Sequence, residues 1–262
     1  LRTENDVASD PSDWISAWRT SQGILAAAAG PLDAEQLDQP SYDSEWSIAE
    51  VLSHVGSQAE IFELLLSAGL SGGDPPGQED FAPIWQRWNA RAPQAQATDA
   101  LAVNEALLER FESLDDDERE RFHLNTWGMD LDLAGLASLR AGEHAVHTWD
   151  VVVMLDPTAT VAPDAVDLLV DTLDRVAGRA KPDGQKRRIE VATSAPERHF
   201  TLETGDSVRL VAFEPDDYEA ELRLPAEAFL RLLYGRLDPA HTPPLEARGV
   251  DLDELRAVFP GF

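Results

Sequence analysis

From Leu133 to Leu155 the chain reads LAGLASLRAGEHAVHTWDVVVML, a stretch with no proline, in which the only glycines are Gly135 and Gly142. Asp132 precedes it as a candidate N-cap and Asp156-Pro157 follows it, so the spacing predicts one helix about 34 Å long. Leu136, Leu139, Val146, Trp149 and Val153 give that helix enough apolar surface to be buried, and a buried helix must be covered by other elements of its domain. At about 100° per residue, however, Arg140, Glu143, His147 and Asp150 fall close to one line along it. Charge on a buried helix needs a partner. Glu143 and His147, four residues apart, can reach one point in space, and a metal ion is the first candidate for that point.

The segments before it predict the cover. Asp10-Pro11 opens a helix carrying Trp14, Trp18, Ile24 and Leu25, ended by Gly30-Pro31. Residues 32–46 read as a loop. Ser47-Ile48-Ala49-Glu50 is a capping box that starts a second long helix through Val51, Leu52, Val55, Ile61, Leu65 and Leu66, with Gly69 as its stop and His54 in its second turn. A short helix is expected over 81–91. Asp99 caps another through Leu101, Leu107, Leu108 and Phe111; Asp115 to Glu118 reads as a solvated turn, and 122–129 as irregular. The first 156 residues thus read as all-helical, with four principal helices.

After Asp156-Pro157 the pattern changes. Pro163 to Ala177 reads as one amphipathic helix, then short alternating runs at 188–193, 199–203, 208–213 and 220–224 read as strands, with Glu203-Thr-Gly-Asp206 as a hairpin turn. Leu224-Pro225 opens a helix reaching Arg236, and 251–258 is a last short one. The expected architecture is a four-helix bundle over 1–157 followed by a smaller α+β domain with an antiparallel sheet over 158–262.

Cysteine is absent, which excludes disulfides, thiolate ligands and a protein-borne thiol nucleophile; any sulfur chemistry needs a thiol from a small molecule. The formal net charge of −28 repels phosphate backbones, so no nucleic-acid partner is expected. No apolar run is long enough to span a membrane. The start, LRTENDVASD, has neither a basic region nor an apolar core, so the chain is expected to have no signal peptide and, lacking Met, a processed start; it is expected to be cytoplasmic. Few Lys against abundant Ala, Arg, Asp and Glu fit a high-GC bacterial source.

Taken alone, Glu143 and His147 are as well explained by a surface ion pair, and His54 by a satisfied core histidine. Together they supply three N/O ligands from two helices of a bundle, which leaves one position open, as at catalytic zinc. Asp150, one turn after His147, can orient an imidazole. His144 and His147 form an alternative pair, but His144 sits off the stripe.

The segments PSYDSEWSIAEVLSHVGSQAE (40–60) and LRAGEHAVHTWDV (139–151) together resemble the mycothiol-dependent maleylpyruvate isomerase family, and LRLPAEAFLRLLYGRLDP with EARGVDLDELRAVFP resembles its C-terminal domain. The resemblance implies a DinB-like bundle in which His54, Glu143 and His147 bind zinc, and a sterol-carrier-like second domain. It implies that mycothiol, the low-molecular-weight thiol of actinobacteria, takes the open position as a thiolate, with the site between the two domains. Arg236 matches the family's Gly-Arg position and is expected to contact the anion or thiol conjugate, unless it only pairs with Asp238. Arg140 is a second candidate for that role, or a partner for Glu143. Trp46 and Trp149 are expected either to line the pocket or to belong to the core. The family's Cys-Pro-Gly-Trp turn is here Tyr42-Asp43-Ser44-Glu45-Trp46, which leaves the substrate open. The expected function is a zinc-dependent isomerase or S-transferase acting on a small electrophile, as a monomer or homodimer. The alternatives are a hydrolase using zinc-bound water and a non-catalytic zinc-binding regulatory module.

Overall fold

A computed structural model describes residues 10–43, 45–216 and 218–261; Leu1–Ser9, on which the leader expectation rests, lie outside them, as does Ser44. Four long helices make the first unit. α1 (Pro11–Ala29) starts at Asp10, whose carboxylate accepts the Ser12 amide at 2.9 Å. The expected loop after it contains one helical turn, α2 (Ala34–Leu37), held by a capping box between Asp33 and Gln36. α3 (Ile48–Ser71) begins on the Ser47–Glu50 box. It does not stop at Gly69 but runs to a left-handed Gly72. Gly69 is instead a point of close approach: a Cβ there would stand 2.2 Å from the Phe122 ring.

α4 (Gln78–Asn89) and α5 (Pro93–Glu112) follow. α5 begins at Pro93, a residue suited to the first turn, and not at Asp99. The acidic run is no solvated turn: Asp115 caps α6 (Asp116–Arg121) through a capping box with Glu118. Nor is the next segment irregular. β1 (Leu124–Thr126) and β2 (Met129–Leu131) form an antiparallel hairpin across Trp127-Gly128, both at positive φ. Three-residue strands with a Trp-Gly turn lack the length and the Asn-Gly or Asp-Gly signature that mark a hairpin in sequence. α7 (Leu133–Leu155) then starts at Asp132, which accepts the Gly135 amide at 2.7 Å.

α7 packs chiefly on α1, and α3 chiefly on α5, with Trp18 edge-on to Phe111 at 5.5 Å in the core. α4 lies along α3, where a Cβ on Gly56 would stand 2.3 Å from the buried Trp88 ring. Trp88 cannot swing aside without losing the bond from its indole N–H to Glu60 at 2.8 Å. Gly56→Ala is therefore expected to destabilise the bundle by about 1–3 kcal/mol through overpacking, despite alanine's better helix propensity. A thermal melt checks this; an unchanged or raised midpoint would show that the contact is not tight.

The compact units part between Ala165 and Val166, further along than residue 157, because the segment after α7 stays with the bundle: Trp149 donates its indole N–H to Ala159 O at 2.9 Å, and Val161 and Ala162 are buried. The helix expected over 163–177 is broken into α8 (Pro163–Leu169), a 3₁₀ turn (Val170–Thr172) and α9 (Leu173–Ala177). At the break the Thr172 hydroxyl donates to Leu169 O and competes with the helical ladder.

The second unit is built on β3 (Arg187–Ser194), β4 (Arg198–Thr204), β5 (Arg209–Ala212), β6 (Ala220–Pro225) and β7 (Glu246–Arg248), in the order β5-β4-β3-β6-β7. All pairings are antiparallel except β3 with β6, which is parallel. The edge strand β7 is short, exposed and without apolar alternation, so no pattern announced it. α10 (Ala226–Leu233) packs on β3 and β6 and ends at Gly235, whose φ of +73° suits glycine; α11 (Leu252–Val258) closes the unit. Ile189, Val191, Leu202 and Leu222 are buried on the helix side, while Arg188, Glu203 and Arg209 alternate in charge across the other face, where Glu221 stands opposite Glu190.

Candidate metal centre

The Ser47–Glu50 box fixes where α3 begins and therefore places His54 seven residues past the N-cap, facing α7. On α7, Glu143 and His147 lie one turn apart on the same stripe. Glu143 Oε2 stands 3.7 Å from His54 Nε2 and 3.7 Å from His147 Nε2. One ligand atom from each of the three residues lies within 4.8 Å of those of the other two. Zinc–ligand bonds of about 2.0–2.1 Å in a tetrahedron separate ligand atoms by about 3.3 Å, so the set is slightly wider than a tetrahedral face. The two imidazoles meet edge to face, with centroids 4.6 Å apart.

His54 Nε2 is buried and has no hydrogen-bond partner. A buried imidazole nitrogen without a partner costs stability, and this one faces the other two ligand atoms. The donor set therefore fits a divalent ion of the zinc kind: two imidazoles and a carboxylate converging on one point, with His54 supplying an unused lone pair.

The surroundings prepare each ligand. Burial holds the His54 pKa below its ordinary value, outweighing Glu143, so the ring is neutral at neutral pH. Burial disfavours the Glu143 carboxylate, but its contacts with His147 and His54 prevail and keep its pKa well below the usual range. Burial likewise opposes charge on His147, yet Asp150 and Glu143 push its pKa up to about 9. His147 Nδ1–H donates to Asp150 Oδ2 at 2.9 Å, and Asp150 is fully buried. Once the ring gives up a proton, that bond fixes the tautomer whose Nε2 lone pair faces Glu143 and His54.

The other expected residues fall in different places. Trp46 is 37% exposed, with its ring centroid 5.4 Å from that of His54, so it flanks the ligand set. Trp149 is a core residue, bonded to Ala159 O and packed on Tyr42 at 4.6 Å. Arg140 makes no ion pair with Glu143 and reaches no surface. It is wholly buried, and its guanidinium turns to Val55 O and Asn104. Burial lowers its pKa to about 10, so it keeps its charge at neutral pH.

His144 belongs to another network. Gln22 Nε2 donates to Leu101 O at 3.0 Å, which leaves Gln22 Oε1 to accept from His144 Nε2–H, also at 3.0 Å. Nδ1 then accepts from the hydroxyls of Ser21 or Thr148. Burial keeps this ring neutral, its pKa well below the ordinary value. Arg236 lies in the other unit, on the turn after α10, where it is mostly buried and donates to Tyr234 O at 2.6 Å. Asn104, the partner of Arg140, is a further residue that sequence reasoning misses, although a polar residue among Leu101, Leu107, Leu108 and Phe111 on one helical stripe is a visible exception.

Two family models match the chain: the mycothiol maleylpyruvate isomerase N-terminal domain over residues 18–152 and the MDMPI C-terminal domain over 160–257. Among solved structures, the crystal structure of the mycothiol-dependent maleylpyruvate isomerase matches at 13% identity with a TM-score of 0.68, covering 90% of this chain and 92% of that one. A histidine-to-alanine mutant of it matches at 12% identity and a TM-score of 0.66, covering 86% and 89%. At these identities the likeness establishes the shared fold. No curated protein matches the chain, and no helix among the described residues is long and apolar enough to cross a membrane.

Proposed function

We propose, from the premise that this chain belongs to the mycothiol maleylpyruvate isomerase family, that it is an enzyme using mycothiol to isomerise a small conjugated electrophile at a zinc-type centre. His54, Glu143 and His147 would hold the ion. The observation that carries this reading is the buried, unpartnered His54 Nε2 converging with Glu143 and His147 in a chain without cysteine.

A divalent ion bound there would lower the pKa of a thiol at its open position, so that the sulfur is anionic at neutral pH. The chain's own residues do the rest. Asp150 holds the His147 ring in the tautomer that presents Nε2, and burial keeps His54 deprotonated. Trp46 offers a flat apolar wall beside His54 for a planar substrate. Arg236 is the proposed receiver of the substrate's carboxylate, a role an acidic chain must give to a specific cation. The chemistry that the bound thiol would supply is reversible addition to the conjugated double bond, its electron pair resting on the adjoining carbonyl while the bond is free to rotate and returning as the thiolate leaves.

The test is turnover of maleylpyruvate by zinc-loaded protein with and without mycothiol. Isomer formation should require the thiol and fall to background without it. Accumulation of a stable thiol adduct would reassign the chain to S-transfer, and thiol-independent turnover would overturn the reading.

A further inference from the structure

The ligand set spans a seam in the bundle. Glu143 and His147 stand on α7, which packs chiefly on α1; His54 stands on α3, which packs chiefly on α5. The separation between His54 and Glu143 therefore depends on how α3 sits against α7. At that level Arg140 Nη2 donates to Val55 O, the carbonyl next to His54, at 3.2 Å, and to Asn104 Oδ1 on α5. Asn104 Nδ2 donates in turn to Ala100 O at 2.8 Å and to Val55 O at 3.4 Å. Three helices thus meet at one carbonyl, one residue from His54, through an arginine one turn from Glu143.

This is a costly way to join helices. Arg140 and Asn104 are wholly buried, Arg140 forms no ion pair among the described residues, and its Nε has no hydrogen-bond partner. The rings of Trp18 and Phe62, at 5.5 and 5.7 Å from the guanidinium carbon, compensate it only in part. An apolar side chain of similar volume would hold the seam with no charge to desolvate. Stability alone does not account for an arginine here.

We infer that Arg140, with Asn104, is a positioning residue for the metal centre, fixing α3 against α7 so that His54, Glu143 and His147 keep the separations that one ion requires. The inference rests on the reading that these three residues hold a divalent ion.

Zinc affinity by chelator competition and the visible spectrum of the cobalt-loaded protein test it, on Arg140→Lys, Asn104→Leu and a control, Phe111→Leu. The Arg140→Lys variant keeps the charge but replaces the planar guanidinium, whose Nη2 reaches both acceptors, with a point charge on a shorter, more flexible stem. Both Arg140→Lys and Asn104→Leu should bind zinc about 10–100-fold more weakly, the usual cost of losing a residue that orients ligands, and should shift the cobalt bands. Phe111→Leu should lower the melting temperature and leave affinity and spectrum unchanged. Wild-type affinity and spectrum in Arg140→Lys and Asn104→Leu, whatever their melting temperatures, would reduce the clamp to a structural element and overturn the inference. A wild-type protein that binds neither metal would overturn the reading of the site itself, and the inference with it.

Discussion

Replacing His147 with alanine is expected to weaken zinc binding by two orders of magnitude or more. Structural zinc sites with four ligands bind with about 10–16 kcal/mol, roughly 3 kcal/mol for each ligand, and each 1.4 kcal/mol is tenfold. The substitution also strands Asp150, wholly buried and bonded to the His147 Nδ1–H. His144→Ala, next to Glu143 in the same helix but in a separate network, provides the contrast. It removes the partner of Ser21, Gln22 and Thr148, so it should lower the melting temperature without reducing zinc affinity. Zinc titration of both variants checks the pair. Equal loss in the two would mean that general disruption of α7, and not ligand removal, governs binding.

The second large effect is on pH. In the metal-free protein His147 has its pKa raised from 6.5 to about 9, so near neutrality its ring is protonated and an entering ion must displace that proton. Zinc affinity should therefore rise about tenfold per pH unit, about a hundredfold between pH 6 and pH 8, and level off near pH 9. The stability of the metal-free protein should move the opposite way. Because the folded pKa lies above the unfolded one, the protonated ring contributes stability that is fully present below pH 6.5 and is lost as pH rises through 9. Isothermal titration across pH, with proton release counted in buffers of different ionisation enthalpy, measures the first; urea melts of metal-free protein measure the second. Asp150→Asn removes the carboxylate that raises the pKa and should flatten the affinity slope in the neutral range. An Asp150→Asn slope equal to wild type would remove Asp150 from this role.

The long elements were legible because caps and periodicity agreed along them. The Ser47–Glu50 box and Asp132 marked helix starts that the structure places where the sequence does, and Glu143 with His147 followed from the 3.6-residue repeat alone. What was not legible depended on contacts from distant residues. Gly69 read as a stop because glycine commonly ends helices; nothing in sequence says that Phe122 lies against it. Arg140 lay on the ligand stripe, and its apparent partner was Glu143, but only the packing of α3 and α5 shows that its guanidinium turns the other way, to Val55 O and Asn104. Trp149 and Trp46 were indistinguishable as large aromatics near the site. One donates to Ala159 O in the core, and the other stands partly exposed beside His54.

X-ray absorption at the zinc edge, on protein loaded with one zinc and then with mycothiol, tests the central claim most directly. The account predicts that two imidazole nitrogens and a carboxylate oxygen ligate the ion, that a sulfur at about 2.3 Å joins them when the thiol is added, and that the wild-type set of scatterers is lost in His147→Ala. A zinc shell with no sulfur in the presence of mycothiol, or one unchanged by His147→Ala, would contradict it.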